Sequence, residues 1–152
     1  MKRDSGFGIG DSDALRPHER LDVWRDAMSL VEAVYQATRS FPDTEKFGLT
    51  LQMRRCAVSV PSNIAEGAAR RSRSEYLRFL SIARGSLAEL DTQLQISERL
   101  GFIVDMQETR EIADRAFARL NALIRSLETT NARVREDTGF YESPISNPQS
   151  HA

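Results

Sequence analysis

The chain has 152 residues, 40% hydrophobic and 28% charged, with a formal net charge of −1. That is the size of one ordinary domain with a sizeable core, and the near-neutral balance excludes a polycation, so any attraction to nucleic acid has to come from a local patch. A single cysteine, Cys56, excludes an intramolecular disulfide framework, and no run approaches the roughly 18–20 apolar residues of a membrane span.

Residues 1–17 are rich in Gly, Asp and Ser, close on Pro17, and read as a flexible leader. No apolar run follows Lys2 and Arg3, so no secretory signal is expected. The lone cysteine fits a reduced cytoplasmic setting. Gly6-Phe7-Gly8-Ile9-Gly10 looks like a phosphate loop. However, Asp11 stands where the third glycine belongs and no strand precedes, so it reads as leader.

A first helix is predicted from about Leu21 to Thr38, with Leu21, Trp24, Met28, Val31 and Tyr35 on one face and Asp22 as N-cap. Phe41-Pro42 ends it. A second helix starts between Thr44 and Thr50. Leu49, Met53, Cys56, Val60, Ile64 and Gly67 carry its face through Pro61. An interior proline predicts a kink, with Ser59, Ser62 or Asn63 satisfying freed backbone groups, and Gly67-Ala68 reads as the stop.

Ser72 and Glu75 form a capping box for a third helix, whose seam is Tyr76, Leu80, Ala83, Leu87, Leu90 and Leu94 and which ends at Leu100-Gly101. A fourth opens at Asp105 with Glu108 in the same relation. It presents Ile112, Ala116, Leu120, Leu123 and Leu127 and fades near Arg135. Residues 18–136 thus form one helical domain, and residues 137–152, with Pro144 and Pro148, a loose tail. Short connections make neighbouring helices antiparallel, so the fold class is an all-α, up-and-down four-helix bundle.

The two histidines, His18 and His151, both lie in the flanks, where no Ser-His-Asp or Cys-His arrangement can be positioned. No Glu-x-x-His pair exists for a di-metal bundle site. No catalytic residue, metal, cofactor or small-molecule substrate is therefore expected. Cys56, on the apolar face, reads as a small hydrophobe.

Two features remain. Arg54, Arg55, Arg70, Arg71, Arg73, Arg78 and Arg84, against Glu66 and Glu75, give residues 54–84 a charge of +5 while the rest of the chain carries −6. Either this is a solvated face with salt bridges between subunits, or it is a phosphate-contacting surface for RNA or DNA. The second feature is the string Ser59-Val60-Pro61-Ser62-Asn63-Ile64-Ala65-Glu66-Gly67. Pro61, Ser62, Asn63, Glu66 and Gly67 serve either local backbone satisfaction or a binding notch or subunit contact. Phe79, Ile82, Gly85, Phe102, Ile103 and Phe117 are further positions suited to sealing a subunit interface.

Leu21-Asp22-Val23-Trp24, Phe41-Pro42 with Glu45, and Phe47-Gly48-Leu49-Thr50 with Gln52, Arg54 and Arg55 resemble the bacterial family first described as 23S rRNA-intervening-sequence proteins. So do Val58 to Gly67, Arg78-Phe79-Leu80 and Ala83 to Leu90, and the resemblance covers Leu21 to Leu127. It implies a left-handed four-helix bundle assembled into a ring of five. It also implies kinship with accessory proteins of diversity-generating retroelements, which bind nucleic acid beside a reverse transcriptase. No catalytic residues come with it. The expected function is a non-enzymatic homo-oligomeric, pentameric scaffold or adaptor; the alternative is a nucleic-acid-binding accessory protein using the arginine cluster.

Overall fold

The computed structural model describes residues 15–102 and 105–138. The expectations for the rest of the leader, for Ile103, for His151 and for the tail beyond Thr138 lie outside the described residues. Four helices, α1 (Asp22–Ala37), α2 (Leu49–Ala68), α3 (Arg73–Arg99) and α4 (Gln107–Thr138), account for most of them, and no strand occurs among them. Each helix packs against its neighbours in chain order and α4 closes back on α1, which is the arrangement of an all-α four-helix bundle.

The core is one cluster that includes Val23, Leu30, Val34, Met53, Val60, Ile64, Leu80, Leu87, Leu90, Leu94, Leu120 and Ile124. The seam predicted for α3 is buried apart from the half-buried Tyr76. α1 departs from its expectation. Its inward face is Val23, Ala27, Leu30 and Val34. Of the predicted stripe, Leu21, Trp24 and Val31 are half-buried against the core, and Met28 and Tyr35 face solvent. Two apolar stripes interleave on this helix, and the smaller side chains of the inner one allow the closer approach to the other helices.

The helix ends also correct the sequence reading. Leu21, extended at φ −84° and ψ 121°, is the N-cap of α1, while Asp22 is its first helical residue and pairs with Arg25 at 3.0 Å. Pro17 opens a 3-10 turn, Pro17–Arg20, that packs on α1 and α2, and His18 meets the Trp24 ring edge-on with centroids 5.0 Å apart. His18 is therefore seated on the bundle and does not belong to a loose flank. At α3 the Ser72 hydroxyl accepts from the Glu75 N–H, which is the serine half of the capping box; the return bond from the Ser72 N–H to the Glu75 carboxylate is not formed. Gly101, at φ +72°, ends α3: its N–H reaches the Glu98 carbonyl and the Phe102 N–H reaches that of Ser97. This double bond pattern at a left-handed residue is the Schellman stop. Phe102 then packs on Phe41, with centroids 5.6 Å apart. It is half-buried against the protomer's own core.

α2 runs unbroken through the buried Pro61. The Ser62 hydroxyl donates to the Val58 carbonyl at 2.8 Å, and the Asn63 amide donates to the Ser59 carbonyl at 2.8 Å. These side chains reinforce the turn around the proline, although the carbonyl freed by its missing N–H is that of Ala57. α2 ends at Ala68, where the sequence places the stop, but Gly67 does not end it through a left-handed turn. It lies inside α2, where a Cβ would stand 2.9 Å from the Phe79 Cβ and 2.9 Å from the Tyr76 ring. The glycine lets α2 and α3 touch nearly backbone to side-chain root just before their turn. Gly67→Ala should lower stability by about 1–3 kcal/mol through overpacking. Thermal unfolding followed by circular dichroism measures this, and an unchanged midpoint would contradict the contact.

Candidate interaction surface

The bundle divides the seven arginines of the sequence cluster. Arg54 turns toward α1, where its Nε donates to the Thr38 hydroxyl at 2.9 Å and its guanidinium lies 4.6 Å from the Tyr35 ring centroid. It ties α1 to α2. Arg84 leans toward α4, with a long contact of 3.4 Å to Asn121 Oδ1. Arg70, Arg71, Arg73 and Arg78 remain together at the α2–α3 end of the bundle, and Arg55 stands alone farther along α2.

At that end Phe79 organises the charges. It is buried, under Gly67 and with the Arg70 and Arg78 guanidinium carbons 4.9 and 4.7 Å from its ring centroid. Cation–π attraction holds both planar groups against the ring. Phe79 is thus an interior support for arginines, which corrects its reading as an interface residue. Arg70 also pairs with Glu66 at 2.8 Å, four residues back on the same helix. Both partners are substantially exposed, so this pair adds little stability. Arg55, Arg71 and Arg73 are exposed and have no carboxylate within 4.0 Å among the described residues. Because α1 runs antiparallel to α2, its start lies at the same end and brings Arg16, Arg20 and Arg25 there together with Glu19 and Asp22, the latter paired with Arg25. Spacing along the chain hid those residues; the antiparallel topology supplies them.

The motif string splits between two environments. Val60, Pro61, Ile64 and Gly67 are buried, while Ser62 and Glu66 are exposed. Asn63 and Ser59 bridge the two zones. Asn63 Nδ2 donates to Ser59 Oγ at 2.9 Å, and Ser59 Oγ lies 2.9 Å from Ser86 Oγ on α3. The polar members of the string therefore cross-link α2 to α3 at the edge of the core, as well as serving the backbone beside Pro61.

Two buried groups complete the picture. Asp26 on α1, almost fully buried, accepts from Arg115 Nε at 2.9 Å and from Arg119 at 2.6 Å, both on α4. The sequence reading missed it, although Asp26 sits between Val23 and Leu30 on the buried stripe. A carboxylate so placed has to find cations on a neighbouring helix. Cys56 is buried, and burial, followed by the Glu89 carboxylate beside it, pushes its thiol up to about 11. It is the inert, small apolar residue expected from its position.

The family model of the 23S rRNA-intervening sequence protein matches residues 19–124, a span that includes α1, α2, α3 and the first half of α4. No curated protein matches the chain.

Removing the Asp26 carboxylate with Asp26→Ala leaves Arg115 and Arg119 without their anion. This should destabilise the fold by about 1.5–3 kcal/mol, read as a shifted denaturant midpoint. The raised Cys56 thiol makes a second expectation. The folded state holds the proton more tightly than the unfolded chain, so this contribution is complete below the ordinary thiol value of 9.0. It is lost as pH rises from there through about 11. At neutral pH a thiol reagent should react with Cys56 only after denaturant is added; fast labelling of the native protein would overturn the assignment.

The residues placed in the fold, Trp24, Phe41-Pro42, the string from Val58 to Gly67, and Ala83 to Leu90, all lie within the matched span, and the chain belongs to the 23S rRNA-intervening sequence protein family.

Proposed function

We propose that this chain is a non-enzymatic, cytoplasmic, homo-oligomeric scaffold or adaptor, with five copies in a ring as the resemblance of its motifs implies. One observation carries the reading. After the core is filled, apolar side chains remain at heptad spacing on the outside: Met28 and Tyr35 on α1, Leu51 and Val58 on α2, and Ile82 and Ile96 on α3. Each is about two-fifths exposed. A helix needs one apolar stripe to join a bundle, and a second stripe at the same repeat is surface suited to a second partner. Of the other interface positions named from sequence, Gly85 and Phe117 are exposed as well. No helix of the described residues is long and apolar enough to cross a membrane, so the stripes are not membrane spans.

The arginine-rich end favours a second reading, an accessory protein that binds RNA or DNA. Arg71 and Arg73 are free of carboxylates among the described residues, and Arg70 and Arg78 are held over the Phe79 ring, a cluster that suits guanidinium contacts to phosphate.

Light scattering of the purified protein at micromolar concentration tests the first reading. An assembly of several 17.2 kDa chains is expected, and a monomer would overturn it. Fluorescence anisotropy with labelled structured RNA and duplex DNA tests the second. Binding that weakens steeply with salt and is abolished by charge reversal at Arg70, Arg71 and Arg73 supports it. No binding at low salt removes it.

A further inference from the structure

Gly85 has no reason to be glycine inside its own protomer. It lies in the interior of α3, and a Cβ built on it meets nothing within 4 Å. The only described glycine at positive φ is Gly101, so the backbone at Gly85 does not demand the residue either. Glycine inside a helix is less favourable than alanine by about 0.8–1.0 kcal/mol. Gly67 repays that penalty through the α2–α3 contact; Gly85, facing open space, does not. A bare spot on an exposed helix is useful where another backbone comes close.

Its surroundings indicate what comes close. Ile82 and Glu89 lie one turn to either side on the same outer stripe of α3, and Ile96 follows one heptad after Glu89. The outward stripe of α2 is Leu51, Arg55 and Val58. The Ser59–Ser86 contact and the bond from the Ser97 hydroxyl to Met53 Sδ fix the relative heights of the two helices. Leu51 and Ile96 therefore lie toward one end of the bundle, Arg55 and Glu89 at middle height, and Val58 nearest Gly85 and Ile82. The two stripes match level for level and carry opposite charges at the middle. Neither Arg55 nor Glu89 has an ion-pair partner among the described residues, although the Glu89 carboxylate also lies beside the neutral Cys56 thiol of its own chain.

We propose that the outer stripe of α3, centred on Gly85, receives the outer stripe of α2 (Leu51, Arg55, Val58) from a second copy of this chain. Rotation about an axis parallel to the bundle leaves heights unchanged, so the matching levels meet. Such a contact joins two different patches, and it closes into a ring when they sit on neighbouring rather than opposite sides of the subunit. α2 and α3 are neighbours in the bundle. The inference rests on the homo-oligomer reading and adds which surfaces meet.

The test is Gly85→Leu in the full chain, followed by light scattering and far-ultraviolet circular dichroism, with Asp91→Leu as a control at an exposed position on the α4 side of α3. Gly85→Leu should keep full helicity and fall to the mass of one 17.2 kDa chain, while Asp91→Leu keeps the wild-type mass. Charge exchange gives an independent readout. Arg55→Glu alone should weaken assembly at least tenfold in dissociation constant, and Arg55→Glu with Glu89→Arg should recover most of the loss. If the wild type assembles and both Gly85→Leu and Arg55→Glu assemble equally well, this contact is wrong and the homo-oligomer stands. A monomeric wild type overturns both.

Discussion

The closeness of α2 and α3 is the constraint on which the rest of the bundle depends. Gly67 allows Phe79 and Tyr76 to press against the α2 backbone immediately before the chain turns, and the short connection from Ala69 to Ser72 follows from that proximity. Farther along, the small hydroxyls of Ser59 and Ser86 meet across the same pair of helices. Small residues at each crossing level keep the axes close, and close axes leave little room between α2 and α3 for long apolar side chains. Such side chains, Val58 and Ile82 among them, are displaced to the outside. The outer stripes are in this sense a product of the tight inner contact.

The opposite side of the bundle is held differently. α1 and α4 are joined through Asp26, Arg115 and Arg119 in addition to apolar packing. A buried carboxylate with two guanidiniums is a weak source of net stability, because desolvation offsets much of the attraction. Its value lies in register: a slide of α4 along α1 by one turn would strand the charge. Arg54 plays a similar part between α1 and α2, with Thr38 and Tyr35 as its partners. Close contact at small residues thus sets the α2–α3 pair, and longer polar ties position α1 against its neighbours.

These two kinds of contact explain what was legible in the sequence. The heptad seam of α3, its cap at Ser72 and its stop at Gly101 are local patterns; the seam and the stop take the expected form, and the cap forms through its serine half. The inward face of α1 lies one stripe away from the one its sequence suggests, because Trp24, Met28, Val31 and Tyr35 are larger side chains than Ala27 and Val23 and dominate the pattern. Packing selects on size as well, and the smaller stripe wins where helices must approach. The arginine cluster was legible as composition but not as a surface. Whether Arg54 or Arg84 shares a face with Arg71 depends on rotation about the helix axis and on which neighbour lies on each side. Phe79 looked like a candidate for a second subunit because its partners, Gly67 and two arginines, are brought to it by tertiary structure.

The string from Ser59 to Gly67 shows how one stretch of helix can meet two demands. Its helical repeat puts Val60, Ile64 and Gly67 inward, and with them Pro61, which is tolerated because Ser62 and Asn63 reinforce the adjoining turn. Rotation by a further third of a turn brings Ser59 and Asn63 to the seam with α3. Ser62 and Glu66 then fall outside, Glu66 holding Arg70 beside Phe79. A substitution in this string would therefore act on core packing, on the α2–α3 seam or on the outer surface according to its position on the helix. The arginine-rich end and the outer stripes share this segment as their common support: Gly67 seats Phe79 beneath the guanidiniums, and Ser59 sets the height at which Val58 and Gly85 stand.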